Sequence, residues 1–140
     1  MAQLAEFAGN HIVLVLGLIG SWCFVMVYEL RLKATALTNM SAGDSVRLIN
    51  KGAMIIDVRS SDAYQAGHIV NSRNIALADV ESNKDIAKKQ KSKPLLTVCG
   101  DGASSGKAAG VLRNAGFENA FSLKGGLRGW QAENLPLVKK

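Results

Sequence analysis

The first 30 residues contain no lysine or arginine. A secretory signal peptide begins with a positively charged stretch, so the apolar run that follows lacks the flank of a cleaved signal. Cysteine is scarce: the 140 residues hold two, Cys23 and Cys99. Two cysteines make no disulfide framework, and one of them sits inside an apolar span, which fits a reducing compartment. Aromatic residues make up 6% of the chain and are not interleaved with the basic ones. No nucleic-acid motif accompanies them, so no RNA or DNA partner is expected. Internal repeats and low-complexity segments are also missing, and the length suits one ordinary domain.

The charge that is present is lopsided. All 17 Lys and Arg lie at or after Arg31, against nine of the 11 acidic residues, so residues 31–140 carry a net +8. Such an excess favours anionic lipid headgroups or anionic small substrates. Ahead of it, Ile12 to Tyr28 is a run of 17 residues without a charge. As a helix it is roughly 26 Å long at ~1.5 Å per residue, a little short of a ~30 Å hydrocarbon core. Asn10 and Leu30 extend it, and Trp22 and Tyr28 suit an interface. It has no polar stripe of the kind a core helix shows, so residues 1–30 are expected to carry a transmembrane helix at about 12–28. Cys23 and Met26 within it are read as lipid-facing or packing residues. The Ala-Thr-Ala at 34–36 resembles a cleavage site only loosely and lies behind Arg31 and Lys33. Those charges, with Arg47, predict the N-terminus outside and the following domain in the cytoplasm.

Residues 31–40 read as a linker, with a short strand at Ala36–Met40. Ser41 suits the N-cap of a helix to Asn50. Ala53–Val58 is a continuous apolar run ending in an acid, the pattern of a parallel strand buried on both faces. A short helix is expected at Ser61–Ala66, a strand at Arg73–Leu77, and a helix from Asp79 to about Gln90. Leu95–Val98 reads as a strand, residues 104–115 as a helix, Ala120–Leu123 as a strand, and the surroundings of Trp130 as a last helical turn. Strands alternating with helices predict an α/β domain at 41–138 with a mainly parallel central sheet flanked by helices.

Ligands on such sheets bind beyond the carboxyl ends of the strands, and Cys99 stands there, followed by Gly100, Asp101 and Gly102. Ser104 and Ser105 suit N-caps of the next helix, whose apolar face is Ala108, Val111, Leu112 and Ala115. A thiol above a helix N-terminus, among freed backbone N–H groups, is placed to hold negative charge. Asp101 adds a carboxylate beside it that repels an anionic donor. His68 with Asp57 and Arg59 invites a triad reading, but a histidine bonded to backbone and an Asp57–Arg59 pair account for them better. Lys84, Lys88, Lys89, Lys91 and Lys93 read as a solvated face able to touch anionic lipid, and Trp130 as core.

From Ser41 to Val138 the chain resembles a single rhodanese-like (sulfurtransferase) domain. The motifs are Asp57-Val58-Arg59, Asp62-x-Tyr64-x-x-Gly67-His68-Ile69, Asn74-Ile75, the Cys99 loop, Ala115-Gly116-Phe117, and Leu123-Lys124-Gly125-Gly126 with Trp130. Within that family it is similar to small bacterial inner-membrane proteins with one N-terminal helix. The resemblance implies that Cys99 accepts a sulfane sulfur as a persulfide and passes it to a small thiol or a protein acceptor, without metal or cofactor. It makes Gly100, Asp101, Gly102, Ala103 and Ser104 the cradle, with Ser105 beginning the helix. Many members carry an arginine where this chain has Ser104, and Asp101 is a second departure. A related phosphatase branch has a loop one residue longer that ends in arginine, so phosphate-ester chemistry is not expected. The alternative to an enzyme is a rhodanese-like module without turnover that docks another membrane or cytoplasmic protein.

Overall fold

Short apolar runs bounded by glycine and turn residues become strands, and the one long apolar run becomes a helix. A computed structural model of the chain describes residues 9–36, 38–80, 82, 86 and 92–139. The chain divides after Ala36 into two units.

The first unit is helix α1, Ile12–Ala36. Its stretch Ile12–Lys33 has a mean hydropathy of 2.1 and is long and apolar enough to cross a membrane. Those 22 residues measure about 33 Å at ~1.5 Å per residue, enough for a ~30 Å hydrocarbon core. Apolar side chains along it, Val13, Leu18 and Phe24 among them, are exposed. The helix continues through residues 31–36, where a linker was expected, because Leu, Arg, Lys and Ala are all good helix formers.

The second unit runs β1 (Asn39–Met40), α2 (Ala42–Asn50), β2 (Met54–Asp57), α3 (Ser61–Ala66), β3 (Arg73–Asn74) and a 3-10 turn (Leu77–Asp79). It continues with β4 (Leu95–Val98), α4 (Ala103–Asn114), β5 (Ala120–Leu123) and α5 (Gly126–Ala132). The strands form one sheet in the order β1-β5-β4-β2-β3, and every neighbouring pair is parallel. Successive residues of a strand point to opposite faces, and β4 sorts accordingly. Leu95 and Cys99 join Ile56, Ala108, Leu112 and Phe117 on one face. Leu96 and Val98 join Ala42, Ile55, Leu127 and Trp130 on the other. Both faces are covered, as the continuous apolar runs predict.

Three local expectations change. The strand expected to reach Leu77 stops at Asn74, whose side-chain amide donates to the carbonyls of Asp57 (3.1 Å) and Arg59 (2.8 Å) and ends regular pairing. Asp79, where a helix to Gln90 is expected to begin, ends a 3-10 turn, Leu77–Asp79; residues 81, 83–85 and 87–91, including four of the five lysines of the basic run, lie outside the described residues. Val80 and Ile86 are buried in the core. The helix after the Cys99 loop begins at Ala103, and its N-cap is Gly102 in the left-handed conformation (φ +98°) rather than Ser104 or Ser105.

Candidate active site

Strand β4 carries Cys99 out of the sheet on the face covered by α4, so its thiol lies beneath the first turn of that helix, 3% exposed. Three groups converge on the sulfur. The Gly102 N–H donates to Sγ at 3.0 Å. The thiol has two acceptors in reach, the Ser105 hydroxyl at 3.3 Å and Oδ1 of Asp101 at 3.6 Å. Ser105 is fully buried and also donates to the Gly102 carbonyl at 3.1 Å. Beneath it, the Thr97 hydroxyl donates to the carbonyl of Ser105 at 2.8 Å, tying β4 to the start of α4.

Asp101 does the capping that the serines were expected to do. Its Oδ1 accepts the Ala103 N–H at 3.0 Å, satisfying one of the orphan donors of α4. That N–H, and after it the Cys99 thiol, hold the Asp101 carboxyl below the usual carboxylate range, with the Arg128 guanidinium adding to the effect. An aspartate two residues before the first helical residue, followed by glycine, was the available signal.

Of the residues singled out in the sequence, Cys99, Asp101, Gly102 and Ser105 therefore meet at the sulfur. Gly100 and Ala103 direct backbone groups elsewhere: the Gly100 carbonyl accepts from Arg128 N–H at 3.2 Å, and the Ala103 N–H goes to Asp101. Ser104 is half-buried in the first turn of α4.

What the sequence did not reveal is how the loop is held. The N–H groups of Leu127 and Arg128, in the first turn of α5, donate to the carbonyls of Cys99 (2.8 Å) and Gly100 (3.2 Å). That approach demands glycine at 126. A Cβ there would run into the Cys99 carbonyl oxygen and stand 2.7 Å from both Asp101 N and Gly100 C, and φ is +57°. The signal was the pair Gly125-Gly126, which marks a close backbone approach as readily as a turn.

The other motif residues build a support. Arg59 grips the buried Asp57 through Nε (2.9 Å to Oδ1) and Nη2 (2.7 Å to Oδ2), and Nη2 also donates to the Gly67 carbonyl at 2.7 Å. His68 pairs through its backbone with Val138 (2.9 and 2.8 Å). Its Nδ1 lies 2.9 Å from the Tyr64 carbonyl, so the proton is assigned there, and its ring stacks on Tyr64. Trp130 is buried with Nε1 donating to the Pro136 carbonyl at 3.1 Å. These groups hold backbone, as the sequence reading expected. A cleft of about 200 Å³ between α3 and α5 is lined by Arg59, Gly67, Leu127, Gln131 and Leu137 among others, and Cys99 is not part of its wall. Among the described residues no group of three or more His, Cys, Asp or Glu stands close enough to hold a metal ion.

Comparison with known proteins bears on this geometry. The family model described as "Rhodanese-like domain" matches residues 41–133. The chain is 34% identical to the uncharacterized protein YibN of Escherichia coli (strain K12) over 141 aligned residues, 99% of each chain. It is 35% identical to the thiosulfate sulfurtransferase GlpE of Pseudoalteromonas translucida, over 69% of this chain and 91% of that one. Among solved structures, a rhodanese-related protein from Thermoplasma volcanium superposes with a TM-score of 0.65 at 27% identity, covering 73% of this chain and 98% of that one.

Proposed function

The chain belongs to the rhodanese-like domain family, and on that premise we propose that it is a membrane-tethered sulfurtransferase in which Cys99 carries the sulfur. The observation that carries the reading is the Cys99 sulfur, beyond the carboxyl end of the central strand, accepting the Gly102 N–H at 3.0 Å. A backbone donor so placed stabilises negative charge on sulfur without a metal. The relatives named thiosulfate sulfurtransferase GlpE support the same reaction class.

In the first half-reaction the Cys99 thiolate attacks the sulfane sulfur of a donor. A bond forms between Sγ and that sulfur, the donor's S–S bond breaks, and the leaving group, sulfite in the case of thiosulfate, departs with the electron pair. In the second, a thiolate of a small molecule or a protein attacks the outer sulfur, and Cys99 leaves as thiolate. Nothing is oxidised overall. Burial of the thiol suits the transfer of a single atom; of the loop, Asp101 and Gly102 meet the sulfur, and Gly100, Ala103 and Ser104 complete the turn that leads into α4.

In this proposal residues 41–138 are the catalytic domain and α1 spans a bacterial inner membrane, N-terminus out. Arg31, Lys33 and Arg47 support that orientation. A reporter fused after Lys140 is then active only as a cytoplasmic fusion; activity confined to the other side overturns the topology.

A second reading, a docking module without turnover, draws on the carboxylate of Asp101 at 3.6 Å from the sulfur. One measurement separates the two. The full chain, purified in detergent, is incubated with thiosulfate or another sulfane donor and weighed intact. The enzyme gains the mass of sulfur and Cys99→Ala does not. No gain on the wild type, or the same gain on the variant, removes the sulfurtransferase.

A further inference from the structure

We propose that Asp101 sets the choice of sulfur donor: its carboxylate disfavours dianionic donors of the thiosulfate class and leaves Cys99 to organic persulfides, R–S–SH, whose transferred end can be uncharged. The proposal rests on the reading of Cys99 as the sulfur acceptor.

The geometry supplies the argument. A single oxygen, Oδ1, lies 3.6 Å from the Cys99 sulfur and 3.0 Å from the Ala103 nitrogen. The carboxylate therefore stands beside the position that the transferred sulfur must reach. It also occupies the first N–H of α4, a donor that an incoming anionic oxygen would use at a helix N-terminus. A sulfonate carried by the donor meets both effects at once, since it loses a donor and faces a negative charge. The Ala103 N–H favours the charged form of the carboxyl and lowers its pKa.

The nearby cation offsets this only in part, because its influence on the carboxyl is smaller than that of the Ala103 N–H. Arg128 follows Leu127 in α5, its backbone fixed on the Gly100 carbonyl, and its guanidinium acts on the Asp101 carboxylate itself. Ser104, in the first turn of α4, is uncharged, and Lys107 is an exposed residue one turn further along α4. The loop thus contributes an anion of its own and no cation.

An organic persulfide satisfies the same site. The Cys99 thiolate attacks the outer sulfur of R–S–SH, the Sγ–S bond forms as the donor's S–S bond breaks, and R–S⁻ leaves with the electron pair and takes up the persulfide proton. Atoms and charge balance, and no oxidant or reductant is needed.

The test compares wild type, Asp101→Asn and Asp101→Ser as full chains in detergent. Each is loaded in separate reactions with thiosulfate and with cysteine persulfide, and the rate of sulfur gain on Cys99 is followed by intact mass. The quantity read is the ratio of the two rates within one protein, which does not depend on the fraction folded. Asparagine keeps an oxygen for the Ala103 N–H, so it removes charge with the turn intact; serine keeps a smaller acceptor. Removing a unit charge about 4 Å from the reacting sulfur is expected to raise the thiosulfate-to-persulfide ratio about tenfold in both variants. An unchanged ratio, whether both rates move together or neither moves, overturns the donor choice and leaves the sulfurtransferase standing. Loss of loading in both variants alone also overturns it. Failure of all three proteins with both donors removes the reading of Cys99 itself.

Discussion

Ser105 is wholly buried, yet its hydroxyl serves two partners: it donates to the Gly102 carbonyl and accepts from the Cys99 thiol. Once the thiol is ionised, the same hydroxyl can turn and donate to the sulfur, since a hydroxyl proton rotates freely. Ser105→Ala removes that option while the Gly102 carbonyl keeps the Gly106 N–H at 3.2 Å. The expected result is about a tenfold slower sulfur loading, the value of one hydrogen bond to an anion, with a stability loss of only about 1 kcal/mol. Single-turnover loading and a thermal melt on the same preparation read the two effects separately. An unchanged loading rate would make the hydroxyl a packing group only. The sequence reading offered Ser105 as a helix cap or first residue because serine there is a familiar start signal. The capping had passed to Asp101, two residues before the helix, so the serine side chain turns inward.

At the scale of elements, two contacts between distant segments hold the site. The first turn of α5 fixes the loop carbonyls across Gly126. Gly126→Ala is expected to cost about 1–3 kcal/mol, combining a left-handed backbone with a Cβ driven into the loop. It should slow sulfur loading far more than the melt alone suggests, because what it displaces is the peptide between Gly100 and Asp101. A melt and loading rate like those of wild type would contradict the close approach. The end of β2 is held by Asp57 and Arg59, with side chains 1% and 17% exposed. Asp57→Ala strands a guanidinium that is still mostly buried and is expected to cost about 2–4 kcal/mol, discounted for Arg59's partial exposure. Denaturant unfolding measures it, and a loss below about 1 kcal/mol would mean the pair is idle. The pairing of Asp57 with Arg59 was legible because the residues are two apart and sit at a strand end. The contact of Leu127 and Arg128 with Cys99 and Gly100 was not. Periodicity is a local signal, and a backbone hydrogen bond across 28 residues leaves none.

For the whole molecule, the parallel sheet was legible because the strands at Met54–Asp57 and Leu95–Val98 are apolar on both faces. The long apolar run was equally plain; its end was not, since Arg31 and Lys33 look like a boundary while remaining good helix formers. A chain anchored by such a helix should stay with the membrane pellet through an alkaline carbonate wash and leave it only in detergent. Release by carbonate would contradict the anchor. The hold of α5 on the loop carries a further consequence for charge. In a trans peptide the C=O and N–H point in opposite directions. With the Cys99 and Gly100 carbonyls aimed at α5, the N–H groups of Gly100 and Asp101 are aimed away from it. The peptide dipoles of the loop are therefore oriented by folding, and they need no reorganisation when a charge arrives.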